Sequence, residues 1–139
     1  MFKKVLVPID LSHEQKTEAL LRAAKSIADQ NDCELTLINV IAQVPSYVEV
    51  EMPSDLEAKV GSEVSRRLQG LVEKFSLPAS SDIKVVNGNA PHEIVELAEE
   101  IGADLILIAS HQPEFSDYLL GSVSAKVVRH ARCSVLVLR

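Results

Sequence analysis

The residues of this chain best suited to chemistry cluster near its end, in Ala109–Ser124, "ASHQPEFSDYLLGSVS". The Gly121-Ser122 pair opens a helix-like pattern, and the first turn of a helix leaves its backbone N–H groups without internal partners. Those donors, on Gly121, Ser122, Val123 and Ser124, combine with the positive end of the helix dipole to favour an anion. Gly121 admits close approach to the backbone, and the hydroxyls of Ser122 and Ser124 offer further donors. His111 is a candidate to reach such an anion and would hold it better when protonated. The plainer reading makes Ser122 a helix cap and His111 a solvated loop residue. A lone carboxylate, Asp10, follows the first apolar run. It either caps the next helix or is left for a ligand, because Ser12 followed by Gln15 already fits a capping box.

These residues need elements to hold them. Five short apolar runs alternate with four longer amphipathic ones. Lys4–Ile9, Cys33–Ile41, Ile83–Val86, Ala103–Ala109 and Cys133–Leu138 have strand character. The first, fourth and fifth are nearly unbroken Val, Ile and Leu, as expected of strands covered on both faces. His13–Gln30, Ser54–Phe75, Pro91–Ile101 and Gly121–Ala131 carry apolar residues at helical spacing. Asn89 or Ala90 ahead of Pro91 starts the third helix, and Gly102 ends it. The order βαβαβαβαβ, with right-handed crossovers, predicts one α/β domain over residues 1–139. Its doubly wound, five-stranded parallel sheet carries helices on both faces. Ligands of such sheets bind beyond the strands' C-terminal ends, where strand order reverses. The segments to watch are therefore Pro8-Ile9-Asp10, the stretch from Val40 through Gln43–Pro53, Asn87–Pro91, and Ala109-Ser110-His111-Gln112. Gln43–Pro53 reads as either a flap over that edge or a plain surface loop.

Familiar phosphate motifs are absent. No G-x-G-x-x-G follows a strand, no Lys adjoins Gly121-Ser122 as a P-loop requires, and a lone Asp10 with Asn87 does not make a phospho-receiver site. What remains is "KKVLVPIDLS", "NGNAPHEIVELAEEIGADLILIASH" and "LLGSVSAKVVRHARCSVLVLR". Together these resemble the universal stress protein family over nearly the whole chain. The resemblance implies a five-stranded parallel sheet, frequent dimerisation and, in one branch, ATP bound through G-x-x-G-x9-G-[ST]. Here the first two glycines of that pattern fall on Ala109 and Gln112, and only eight residues separate Gln112 from Gly121. The form is similar to a shorter-loop variant that commonly has Arg where Gln112 stands. By resemblance, backbone groups near Ile9 and Val40 hold the adenine edge and the Ala109–Gln112 turn borders ribose and phosphates. Asp10 is placed to accept from ribose hydroxyls, and Mg²⁺ would be carried mainly by the phosphates.

Composition narrows the rest. A net charge of −6 argues against nucleic acid or an anionic membrane as the main partner. No run approaches the roughly twenty apolar residues of a membrane span. Cys33 and Cys133, each just ahead of an apolar run, read as buried thiols in a reducing compartment, which points to the cytoplasm. His13, His92 and His130 show no metal-ligand spacing with one another or with the cysteines. No nucleophile–base constellation is legible, so any ATP hydrolysis is expected to be slow. The final strand, Ser134–Leu138, would leave an apolar edge if it ends the sheet, which predicts a homodimer paired through it. Three readings stay open: an ATP-binding sensing module, an interaction protein without nucleotide, and a slow ATPase.

Overall fold

In a computed structural model, which describes residues 1–42, 54–110 and 121–139, the chain alternates strand and helix throughout. The strands are β1 (Lys4–Pro8), β2 (Glu34–Ala42), β3 (Asp82–Gly88), β4 (Leu105–Ala109) and β5 (Ser134–Leu138). The helices are α1 (Glu14–Asn31), α2 (Ser54–Lys74), α3 (Ala90–Ile101) and α4 (Ser122–His130). All four strand pairings are parallel, in the order β3-β2-β1-β4-β5. The chain therefore winds outward from β1 in one direction and then restarts at β4 on its other side. The reversal falls between β1 and β4, where the helices leave opposite faces of the sheet and open a crevice.

Two cores flank the sheet, and strand alternation sorts the side chains between them. Val5, Val7, Leu35, Leu37, Leu105 and Leu107 face α1 and α2, packing with Leu20, Leu21, Ala24, Leu68 and Val72. Leu6, Ile38, Ile106 and Ile108 face α3 and α4, packing with Ile94, Leu97, Ala98 and Val127. Leu6 and Ile106 are wholly buried, and truncating such a residue to Ala typically costs about 2–5 kcal/mol. The central strands are covered on both faces, as their unbroken apolar runs predict. The fifth is not. Although β5 is equally apolar, it is an edge strand with Ser134 and Leu136 exposed, Leu136 at 45 %. Apolar content alone does not distinguish a doubly covered strand from an uncovered edge.

Helix ends follow their sequence signals at two of the three places predicted. The Asn89 side chain accepts from the His92 N–H at 3.3 Å, with Pro91 in the first turn behind it, so Asn89 and not Ala90 is the cap. Gly102 ends α3 in the left-handed region, φ 68°, a conformation glycine reaches without Cβ strain. Arg129 and His130 occupy the last turn of α4, opposing the negative end of its dipole. The predicted Ser12–Gln15 capping box does not form. Helix α1 starts at Glu14, and the residue before it, His13, makes no side-chain cap bond. Ser12 instead gives both its N–H (2.9 Å) and its hydroxyl to Asp10 Oδ1. A carboxylate two residues back is a charged acceptor and outcompetes a neutral first-turn site.

Candidate functional site

The crevice at the β1/β4 reversal is a cleft of about 280 Å³. Its walls come from the ends of three strands and the start of two helices. Pro8, Ile9 and Asp10 continue β1. Ile38, Asn39 and Val40 belong to β2, and Ile108 and Ala109 end β4. Ala90 and Ile94 come from α3, and Gly121, Ser122, Val123 and Ser124 from the start of α4. Of the predicted site residues, Pro8, Ile9, Asp10, Val40, Ala109 and Gly121–Ser124 thus converge on one cavity. Ser110 is buried and bonded to Gly121 but does not line the cavity. His111 and Gln112 lie outside the described residues, as does the Gln43–Pro53 segment.

The start of α4 is built as the sequence suggests, with corrections in its hydrogen bonding. Gly121 is the N-cap, and no side chain caps the helix. Its φ of −58° is open to any residue, so the position makes no use of glycine's freedom at positive φ. Ser122 is the first helical residue and not the cap. The Gly121 N–H is already taken, donating to the buried Ser110 Oγ at 3.1 Å. The Ser110 N–H in turn donates to the Leu138 carbonyl at 2.8 Å, continuing the β4–β5 ladder. Ser110 thereby pins the two ends of the intervening segment together. Ser124 is 2 % exposed and its hydroxyl donates back to the Gly121 carbonyl at 3.0 Å, so it is not the outward donor expected of it. The N–H groups of Ser122, Val123 and Ser124 remain, and no acceptor meets them among the described residues. Helices α1, α2 and α3 each carry an acid in the first turn (Glu14; Asp55 and Glu57; Glu93), whereas α4 carries none. The positive end of α4 is left uncompensated within its own sequence.

At the opposite wall Asp10 is more committed than expected. Beyond its two bonds from Ser12 through Oδ1, its Oδ2 lies 3.7 Å from His13 Nε2. Its carbonyl accepts from Thr17 Oγ1 at 2.8 Å. The carboxylate is therefore held in one orientation at the mouth of the crevice. Ile9 is likewise engaged on both sides. Its N–H donates to the Ile38 carbonyl at 2.8 Å, and its carbonyl accepts from Asn39 Nδ2 at 2.9 Å. Backbone groups alternate sides along a strand, so Val40 turns its N–H and carbonyl the same way as Ile38, toward β1. But β1 has ended, and Val40 faces the cleft. Asn39 and the apolar wall of Ile38, Ile94 and Ile108 were missed by sequence reasoning. The three isoleucines read as core, which they also are, and a lone Asn inside a strand run carries no motif.

Asp10 is the only charged residue lining the cleft among the described ones. A separate group, His92, Glu93 and Glu96, could bring ligand atoms within 4.8 Å of one another. It escaped a search confined to histidines and cysteines. The His92 imidazole lies 3.3 Å from the Glu96 carboxylate, both exposed on one helix face, and the positive end of α3 opposes a cation there.

The sequence matches the universal stress protein family over residues 1–139. The chain belongs to that family. It is 34 % identical to universal stress protein G of Shigella flexneri, with each chain covered in full. Solved universal stress proteins share the fold. One in complex with cAMP aligns with a TM-score of 0.76 at 20 % identity, covering 99 % of this chain and 97 % of its own. One from Archaeoglobus fulgidus in complex with dAMP aligns with a TM-score of 0.70 at 19 % identity, covering 99 % and 98 %. Adenine nucleotides thus occur in some family members. No helix among the described residues is long and apolar enough to cross a membrane.

Proposed function

We propose that this universal stress protein binds ATP at the β1/β4 cleft and serves as a sensing or signalling module in the stress response. The observation that carries the reading is the row of open amides on Ser122, Val123 and Ser124, facing a cleft walled by isoleucines. An apolar slot takes a purine ring, and helix-start amides take phosphate oxygens. Val40 offers a peptide N–H and carbonyl at the slot's end, and Asp10, fixed by Ser12, can still accept from a ribose hydroxyl through its remaining lone pairs. No Lys or Arg among the described residues lines the cleft, so a triphosphate would need a counter-ion, and Mg²⁺ held through the phosphates suits that need. The same lack of cations supports slow turnover at most, because phosphoryl transfer depends on charge stabilisation.

Isothermal titration with ATP, ADP and AMP, with and without Mg²⁺, tests the proposal. The triphosphate should bind best, more tightly with Mg²⁺, and Gly121→Val and Asp10→Ala should weaken it. No saturable signal would leave the interaction-protein reading in its place. Product formation removed by Asp10→Ala would favour the slow ATPase.

The exposed apolar edge of β5 supports a homodimer paired through Ser134–Leu138. Light scattering should give twice the chain mass for the native protein and a monomer for Val135→Lys/Val137→Lys; an unchanged mass refutes this interface. Both cysteines are free thiols, in keeping with the cytoplasm.

A further inference from the structure

The end of β1 contains a hydrogen bond that breaks the ladder's own pattern. In a parallel pair, a residue whose N–H donates to the neighbouring strand also offers its carbonyl to that strand, two residues further along. The Ile9 N–H donates to the Ile38 carbonyl, so the natural donor for the Ile9 carbonyl is the Val40 N–H. It receives Asn39 Nδ2 instead, at 2.9 Å. Asn39 shares strand parity with Leu35 and Leu37, on the face of α1 and α2. Val40 and Ile38 share the other face, toward α3 and α4. The amide therefore reaches the Ile9 carbonyl from the α1/α2 side of the sheet, and no Val40 N–H to Ile9 carbonyl bond forms among the described residues.

We propose that Asn39 is a positioning residue that keeps the Val40 N–H open for a purine base, by holding the Ile9 carbonyl turned toward the α1/α2 side and away from the Val40 N–H. The inference deepens the nucleotide reading and rests on it for the identity of the ligand. A peptide N–H beside its own carbonyl complements the Watson–Crick edge of adenine, whose ring N1 accepts while its 6-amino group donates. Guanine presents the reverse, an acceptor at O6 and a donor at N1, and meets like against like. Leaving a polar group unpaired in a site of this kind is what makes discrimination strong. Asn39 acts through Val40. Its contribution is to selectivity between bases, distinct from that of the α4 amides, which hold phosphate whatever the base.

Two measurements on the full chain test this, and the first needs no ligand. Amide hydrogen exchange by NMR should show Val40 exchanging fast in the native protein and protected in Asn39→Ala, where the Ile9 carbonyl returns to it. Asn39→Asp, isosteric but unable to donate, should give the same protection and guards against a packing artefact. A Val40 amide as protected in the native protein as its neighbours Ile38 and Ile41 overturns the proposal. The second compares ATP with GTP by titration. Either substitution should cost about tenfold in ATP affinity, the scale of one hydrogen bond, while GTP affinity stays within about twofold. Equal losses for both nucleotides would mean a merely structural Asn39 and would sink the idea. If the native protein binds neither, the nucleotide reading fails, yet the exchange experiment still decides whether Asn39 holds Val40 open.

Discussion

The two ends of the parallel sheet are finished differently. At the N-terminal end, where the strands begin, loose backbone groups are met by the chain itself. The Asp104 carboxylate accepts from the N–H groups of Lys3 (2.8 Å) and Lys4 (3.2 Å). The carbonyls of Lys3 and Lys4 accept from Glu34 and Asp104, and Asn31 Oδ1 accepts from the N-terminal ammonium and Phe2. At the C-terminal end the amides of Ser122–Ser124 and the edge of Val40 find nothing comparable among the described residues. Both ends are made of the same peptide chemistry. One is closed by side chains drawn from distant segments and serves stability; the other, among the described residues, is left open at the chain reversal around the cleft where we propose a nucleotide. A sheet end lacking internal partners is thus a sign of function only when its counterpart shows that the chain can provide them.

The contrast can be broken by substitution. Asp104→Ala removes two charge-assisted acceptors at the closed end and should cost about 2 kcal/mol in urea unfolding, while nucleotide affinity is unchanged. A loss of affinity there would mean that the ends are not independent. Ser122→Pro strikes the open end. Proline is tolerated at the first helical position, so stability should hold, but one ligand-facing amide disappears and ATP affinity should fall about tenfold. A stability loss without an affinity loss would reassign that amide to the fold. The smallest effect concerns the thiols. Cys33 and Cys133 both lie just before strands at the closed end, and burial raises both thiol pKa values above their ordinary 9.0. A raised thiol pKa gives stability that is complete below the unfolded value and lost as pH rises through the folded one. The urea midpoint should therefore drop as pH rises past the ordinary thiol value of 9.0, and less so in Cys33→Ala/Cys133→Ala.

Much of the sheet was legible because its signals are local. The Val-Ile-Leu runs of β1 and β4, the Asn89-Ala90-Pro91 start and the Gly102 stop each depend on a few neighbouring residues. The open helix start at Gly121-Ser122 was legible for the same reason. What escaped depended on competition between partners. Ser12 carried a good capping pattern, yet Asp10 offered it a stronger acceptor. Ser124 looked like a donor to a ligand until the Gly121 carbonyl claimed its hydroxyl. Asn39 had no pattern, because its meaning comes from a carbonyl thirty residues away in the chain. The exposure of β5 was invisible in its composition, since edge and centre are properties of strand order.

The bond between Ser110 and Gly121 has a practical consequence. It fastens the entry and exit of the ten-residue stretch between them at fixed points, one on the sheet and one on the helix. Lengthening or replacing that stretch would cost little extra closure entropy, which grows only with the logarithm of length. An engineer wishing to graft a recognition peptide beside the crevice would find both anchor posts already set.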